Sequence, residues 1–315
     1  MSADRILVTG GAGFIGSHLV DALLEDGHSV RVLDDLSTGK LANLPVDSVH
    51  LSMVVGDVAD APTVVRALKN CRAVVHLAAV ASVQASVEDP VATHQCNFVG
   101  TLNICEAMRE AGVKRVVFAS SAAIYGNNGE GTAITEDSPK APLTPYAADK
   151  LASEHFLDFY RRQYGLDPVI LRFFNIYGPR QDPSSPYSGV ISIFSERARK
   201  NIPITVYGDG EQTRDFVYVE DLVTVLVQAL DESCTSSDPV NVGFNRSTSI
   251  NDLAATLSDI LGRPLALNYD TPRSGDIRHS RADNSRLLER FSLAAPTRFS
   301  DGLSLLLRSI DCGDR

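Results

Sequence analysis

Short apolar runs alternate with amphipathic stretches through the first half of the chain. Ile6 to Val8 is an apolar run that stops at Gly10, Gly13 and Gly16, a G-x-x-G-x-x-G array. Phe14, Ile15, Leu19 and Leu23 then fall on one side of a helix that the pattern ends near Asp26-Gly27. Ser29 to Leu33 reads as a second strand, Val49 to Val55 as a third, Ala73 to Ala79 as a fourth and Lys114 to Ala119 as a fifth. Pro90 to Ala111 has helical spacing and ends at Gly112. Strands apolar enough to be buried on both faces, separated by helices or crossover segments, predict a Rossmann-type α/β fold with a doubly wound parallel sheet.

The second half is more mixed. Pro145 opens a helix that runs to about Tyr164, and Ser188 to Lys200 reads as another helix. Val217 to Leu230 is a strand running into a helix, Val240 to Gly243 a strand, and Ile250 to Leu261 an amphipathic helix closed by Gly262. Ser300 to Ile310 closes the series as an outer helix. The expected division is a Rossmann domain over 1–175 and a smaller mixed α/β lobe over 176–315 that covers the strand ends, with approximate boundaries and a chain free to cross between them.

Right-handed crossovers put the ends of the parallel strands on one edge. That edge gathers residues 10–16, 34, 57, 77–79 and 120–121. A buried strand, a glycine turn and a helix N-terminus with free N–H groups suit a pyrophosphate. Asp34 lies 18 residues beyond Gly16, where an acid meets adenosine ribose hydroxyls; its charge repels a 2′-phosphate and favours NAD over NADP. Asp57, beside Val58, is placed to face the adenine, and Leu77, Ala78 and Ala79 include small residues that let a flat ring approach the backbone.

Tyr146 and Lys150 stand at i, i+4, one turn apart on one helix face, with Ser120 and Ser121 ending the preceding strand. An ammonium beside a phenol favours the phenolate, so Lys150 is expected to draw Tyr146 down from about 10 towards working pH, with the positive nicotinamide ring adding to the effect.

Bulk properties narrow the setting. A chain of 315 residues, 44% hydrophobic and 22% charged, is ordinary for a globular protein with a large core. A net charge of −10 argues against a nucleic-acid or anionic-membrane surface, and no apolar run reaches a membrane span. The N-terminus passes directly into the first expected strand, so no signal peptide is expected. Cysteines at 71, 96, 105, 234 and 312 form no C-x-x-C pair or metal-like cluster, so reduced thiols in the cytoplasm are expected, with no metal.

T-G-G-A-G-F-I-G-S-H-L at 9–19, D-D-L-S-T-G at 34–39, G-D-V at 56–58, H-L-A-A at 76–79, S-S-A-A-I-Y-G at 120–126, P-Y-A-A-D-K at 145–150 and L-R-F-F-N-I-Y-G-P-R at 171–180 together resemble the extended short-chain dehydrogenase/reductase family. Within it, the chain is similar to the NAD-dependent nucleotide-sugar epimerases of the UDP-hexose 4-epimerase type. The resemblance implies tightly bound NAD that is not consumed, held by Gly10, Gly13, Phe14, Ile15, Gly16, Asp34, Asp57, Val58, Leu77 to Ala79, Asn97 and Lys150. It implies Tyr146 as base on a sugar hydroxyl, Lys150 on the ribose, and Ser121 bonded to the reacting oxygen, with Ser120 in its place if the strand end shifts by one. Asp149 departs from the serine usual there, and its side chain is expected to point away from the Tyr146–Lys150 face.

Family members that dehydrate or decarboxylate carry acids and bases after the hydroxyl residue. Ala122 and Ala123 transfer no protons, which leaves reversible oxidation at one carbinol, the requirement of 4-epimerisation through a 4-keto sugar. The UDP-sugar site implied by resemblance takes in Ser120, Ser121, Asn175, Gly189, Val190, Thr205, Tyr207, Arg214, Arg273, Asp276 and Ser280, with Arg278 and His279 as further lining candidates. Guanidinium–phosphate pairing explains arginine at 214 and 273. By the same resemblance, position 280 borders the sugar's 2-substituent, where a small serine in R-S-G-D-I-R-H-S would leave room for an N-acetyl group. This implies UDP-GlcNAc and UDP-GalNAc, with UDP-Glc and UDP-Gal as weaker substrates. UDP-glucuronate epimerase, nucleotide-sugar reductase and non-catalytic NAD-binding scaffold are the alternatives. A homodimer through the helices at 91–111 and 146–164 is the family expectation.

Overall fold

The computed structural model describes residues 5–127, 131–182, 189–231, 238–272 and 277–313, with residues 311–313 described by their backbone alone. In chain order the first part comprises β1 (Arg5–Thr9), α1 (Phe14–Glu25), β2 (Ser29–Asp34), β3 (Leu51–Val55), α2 (Ala61–Leu68), β4 (Cys71–His76), α3 (Val83–Glu88) and α4 (Pro90–His94). It continues through a π-helical turn, Gln95–Val99, into α5 (Gly100–Ala111), β5 (Arg115–Ser121), α6 (Pro145–Tyr164) and β6 (Asp167–Phe173). Then follow β7 (Asn175–Tyr177), α7 (Val190–Arg199), β8 (Ile204–Tyr207), β9 (Thr213–Arg214), β10 (Phe216–Tyr218), α8 (Val219–Ala229) and β11 (Val240–Val242). The chain closes with β12 (Thr248–Ser249), α9 (Ile250–Leu261), β13 (Leu267–Asp270), α10 (Ser285–Arg290) and α11 (Phe299–Gly313).

Seven strands form one sheet in the order β11-β6-β5-β4-β1-β2-β3, with β1 parallel to both β2 and β4. The order reverses between β1 and β4, and such a switch point opens a crevice at the carboxyl ends of the strands. Ile6, Leu7 and Val8 of β1 and Val74 and Val75 of β4 are fully buried, which is why these strands read as unbroken apolar runs. The core beside them packs Val64 and Leu68 of α2, Ile104 and Met108 of α5, and Leu157 and Tyr160 of α6.

Contacts divide the chain into two compact units: Met1–Ile124 with Pro142–Arg172 and Val223–Val240, and Tyr125–Ala141 with Phe173–Leu222 and Asn241–Arg315. The second unit has its own core, in which Tyr177, Phe216 and Phe299 cluster and the last two rings stack at 5.4 Å.

Several element ends depart from expectation. The third strand starts at Leu51, because Val49 is 92% exposed after a turn at Pro45–Ser48. The fourth ends at His76, where the Thr9 hydroxyl begins to take the next N–H groups. The helix expected over 90–111 is interrupted by the π turn, which buries Asn97. The seventh helix starts at Val190; Ser188 lies outside the described residues.

Candidate active site

The glycine array forms a cradle made almost wholly of backbone. Gly10 sits at φ 69° and donates its N–H to Leu33 O at 2.8 Å; a Cβ there would fall 2.8 Å from Ala78 N. A Cβ on Gly16 would fall 2.1 Å from Gly10 O, so α1 approaches the turn as closely as glycine alone permits. Gly13 caps α1 without a side-chain bond, which leaves its first N–H groups for an outside acceptor. These features fit a dinucleotide pyrophosphate. Phe14 and Ile15 are half-buried in the first turn beside it.

Asp34 is 7% exposed, and its carboxylate accepts from Ala12 N at 2.9 Å and Leu36 N at 2.8 Å. It therefore ties the end of β2 to the glycine turn as well as standing where a ribose acid is expected. Asp57 accepts from Ala59 N at 2.8 Å, and Val58 is buried. Leu77, Ala78 and Ala79 are half-buried beyond β4. Asn97 is buried and grips Val80 on both sides, Oδ1 accepting from its N–H at 2.8 Å and Nδ2 donating to its carbonyl at 3.2 Å. Its amide thus shapes the 77–80 segment.

Pro145 and the Thr144 side-chain cap start α6. The Ser121 hydroxyl acts on the Tyr146 phenol, and Lys150 is buried with its Nζ donating to Ala119 O at 2.7 Å, 4.8 Å above the Phe118 ring and 5.9 Å from the Tyr146 ring. Burial brings the Lys150 ammonium down to about 8, while Cys96, Asp149 and Glu154 act in the opposite sense. Burial also pushes the Tyr146 phenol up from 10, with the Ser121 hydroxyl pulling the other way. The expectation that Lys150 draws the phenol down is thus corrected for the free chain: desolvation outweighs every other influence on it. Ser120 is corrected too. It is 2% exposed and its hydroxyl is given to Glu154, so Ser121 is the serine that reaches Tyr146. Asp149 turns onto α4, where Oδ1 meets His94 Nδ1 at 2.7 Å.

The second unit carries the other candidates. Asn175 is exposed on β7; Gly189, also exposed, caps α7 ahead of Val190 without a side-chain bond. Thr205 and Tyr207 are half-buried on β8, and Tyr207 lines a cavity of about 420 Å³ with Gly208, Asp209, Gln212, Asp270, Pro272 and Arg278. Arg278 pairs with Asp209 through two bonds of 2.7 and 2.8 Å, which hold that carboxyl well below its usual range. Arg214 is half-buried on β9. Ser280, 9% exposed, donates its N–H to Thr213 O at 3.1 Å, and His279 Nδ1 lies 3.0 Å from the Thr213 hydroxyl. Arg273 and Asp276 lie outside the described residues.

Two buried groups escaped the sequence reading. His76 Nδ1 lies 2.7 Å from Thr9 Oγ1, and that oxygen accepts from Leu77 N and Ala78 N. Thr9 therefore gives its proton to Nδ1, leaving Nε2–H to donate to Thr101 Oγ1 at 3.1 Å. Burial, then the Lys150 charge, holds His76 at about 3, so the ring is neutral. The other is Glu154, at i+8 from Tyr146 and paired with Arg172. A polar residue ending an apolar strand was the available signal for His76, and the i+4 row from Tyr146 for Glu154.

A switch-point cradle for a dinucleotide and a Ser–Tyr–Lys row define an NAD-dependent enzyme of the Rossmann class. The chain belongs to the NAD dependent epimerase/dehydratase family, which it matches over residues 6–243. It is 41% identical to a UDP-glucose 4-epimerase of Mycolicibacterium smegmatis, over 95% of this chain and 96% of that one. Among solved structures, it is similar to a UDP-N-acetylglucosamine 4-epimerase from Methanobrevibacter ruminantium in complex with UDP-N-acetylmuramic acid, at a TM-score of 0.93 and 37% identity, covering 99% and 100% of the two chains. A Thermus thermophilus UDP-glucose 4-epimerase complexed with NAD gives 0.89 and 40%, covering 98% and 99%.

Proposed function

We propose that this chain interconverts the C4 epimers of UDP-hexoses, with UDP-GlcNAc and UDP-GalNAc as the preferred pair and UDP-Glc and UDP-Gal turned over more weakly. The observation that carries the reading is the Tyr146 phenol, acted on by the Ser121 hydroxyl and with its ring 5.9 Å from a buried Lys150 ammonium. Ser121 is followed in sequence by Ala122 and Ala123, which offer no further acid or base. NAD, when bound, supplies the reversible hydride acceptor and a positively charged ring. With its phenol ionised beside the Lys150 ammonium and the positive ring that NAD would supply, Tyr146 Oη would take the proton of the sugar C4 hydroxyl and return it. Ser121 would hold the reacting oxygen, and Lys150 would offer its ammonium to the ribose and to the phenolate. The sugar passes through a 4-keto form. Arg214, with Asn175, is assigned to the diphosphate, and Tyr207 with Thr205, Gly189 and Val190 to the base.

The N-acetyl preference rests on Ser280, whose small side chain follows a backbone held by Thr213. Similar proteins carry both sugar names, so the test is direct: product analysis with UDP-GlcNAc, UDP-Glc and UDP-glucuronate side by side, on enzyme as purified. Turnover of UDP-GlcNAc without added cofactor is expected. UDP-glucuronate as the best substrate would refute the preference, and stoichiometric use of NADH would refute epimerisation. Ser280→Tyr is expected to remove turnover of the acetylated sugar and spare the plain hexose, whereas Tyr146→Phe abolishes both and retains NAD.

A further inference from the structure

The row on α6 does not stop at Lys150. Tyr146, Lys150 and Glu154 stand at i, i+4 and i+8, and each meets a consecutive residue at the end of β5. Tyr146 feels the Ser121 hydroxyl, Lys150 donates to the Ala119 carbonyl, and Glu154 Oε1 accepts from the Ser120 hydroxyl. Glu154 is in turn gripped by Arg172 of β6, Nε to Oε1 at 3.0 Å and Nη2 to Oε2 at 2.7 Å, with both residues buried. A bidentate pair of this kind has little angular freedom. It therefore sets where α6 sits along the two strands, and with it the distance from Tyr146 to Ser121.

Other titratable groups also act on Lys150. The titratable groups acting on Lys150 are His76 on β4, Cys96 on the π turn, and Asp149 and Glu154 on its own helix, where Tyr146 also stands. Burial keeps His76 neutral and pushes the Cys96 thiol up, and Asp149 Oδ1 is engaged by His94. Glu154 is the carboxylate that continues the catalytic row itself.

We propose that Glu154 is a positioning residue of the active site: through Ser120 and Arg172 it sets the register of α6 on β5 and β6, and with it the placement of Tyr146 and Lys150. The inference rests on the reading that Tyr146 and Lys150 are the reacting pair.

The test uses the full chain as purified, with ¹³Cε-labelled lysine, and compares wild type, Glu154→Gln and Ser120→Ala. Glu154→Gln removes a negative charge one helical turn from Lys150 and loosens the grip of Arg172, so the Lys150 NMR titration is expected to move to lower pH by on the order of one pH unit, and the alkaline limb of the kcat profile with it. Ser120→Ala keeps the ion pair; the Lys150 titration is expected to stay in place while kcat falls by roughly tenfold, with KM little changed, as one misplaced catalytic contact produces. A purely structural Glu154 would lower Tm and move neither pH readout. Should Glu154→Gln fail to fold, Ser120→Ala still decides the register: kcat within twofold of wild type overturns it. A folded Glu154→Gln with both its Lys150 titration and its kcat unmoved overturns the positioning role as well. Activity surviving in Tyr146→Phe would instead strike at the underlying reaction, leaving the Lys150 titration as an independent measurement.

Discussion

Lys150→Met should make the nucleotide-free protein more stable while removing its activity. The Lys150 ammonium titrates at about 8 in the folded chain against an ordinary 10.5, chiefly because it is buried. At about 1.4 kcal/mol per pKa unit, carrying that charge costs the folded state on the order of 3 kcal/mol at neutral pH. Methionine fills similar space without the charge, but leaves the Ala119 carbonyl without its 2.7 Å donor, a loss of about 1–2 kcal/mol. The net gain is about 1–2 kcal/mol. With an unfolding entropy of about 2.1 cal/mol/K per residue, this raises Tm by about 2–3 °C for a chain of 315 residues.

The pH dependence is the sharper readout. Between pH 8 and 10.5 the unfolded lysine keeps a proton that the folded one has lost, so wild-type stability rises with pH through this window relative to Lys150→Met. Below 8 the cost is fully present, and above 10.5 it has gone. Urea unfolding of both proteins at closely spaced pH values measures the difference, whose slope should approach about 1.4 kcal/mol per pH unit. A wild type already more stable than the variant at pH 7, or a difference flat from pH 7 to 10, would refute the reasoning.

Gly16→Ala drives a methyl into Gly10 O and Gly11 Cα, which lie 2.1 and 2.7 Å from its position; NAD titration should show at least a tenfold weaker Kd, since one displaced charge-assisted N–H bond is worth about 1.5–3 kcal/mol. Asp215→Asn, in the second unit, turns one acceptor oxygen into a donor opposite N–H groups of Phe244, Asn245 and Ala282. With one or two of them left unpaired, denaturant unfolding should show a loss of about 2–4 kcal/mol, and the isosteric shape excludes a packing explanation.

The architecture of the first unit was legible because its strands are buried on both faces and its helices stop at residues suited to the turn, as at Gly112 and Gly165, both in the left-handed region. What escaped was decided by partners far along the chain. Ser120 and Ser121 are indistinguishable by position at a strand end; Glu154, 34 residues beyond Ser120, separates them. The break in the 90–111 helix leaves its apolar periodicity intact and arises from Asn97 reaching Val80 and from Thr101 donating to Asn97 O at 2.6 Å. The Tyr146–Lys150 spacing correctly brings the two side chains together, but spacing carries no information about desolvation, which sets the direction in which both groups titrate.

The same distinction explains why reaction class and sugar identity differ in legibility. The cradle is made by main chain, where a Cβ at Gly10 or Gly16 is excluded by atoms within 3 Å, so the glycine spacing itself encodes the cofactor. In the second unit the 278–282 segment is held by main chain at alternate steps: Thr213 N to Arg278 O, Ser280 N to Thr213 O, and Ala282 N to the Asp215 carboxylate. Those bonds are indifferent to the side chain at 280. The backbone pattern therefore carries no mark of which residue stands at 280, and it is substrate assays rather than motifs that read the sugar.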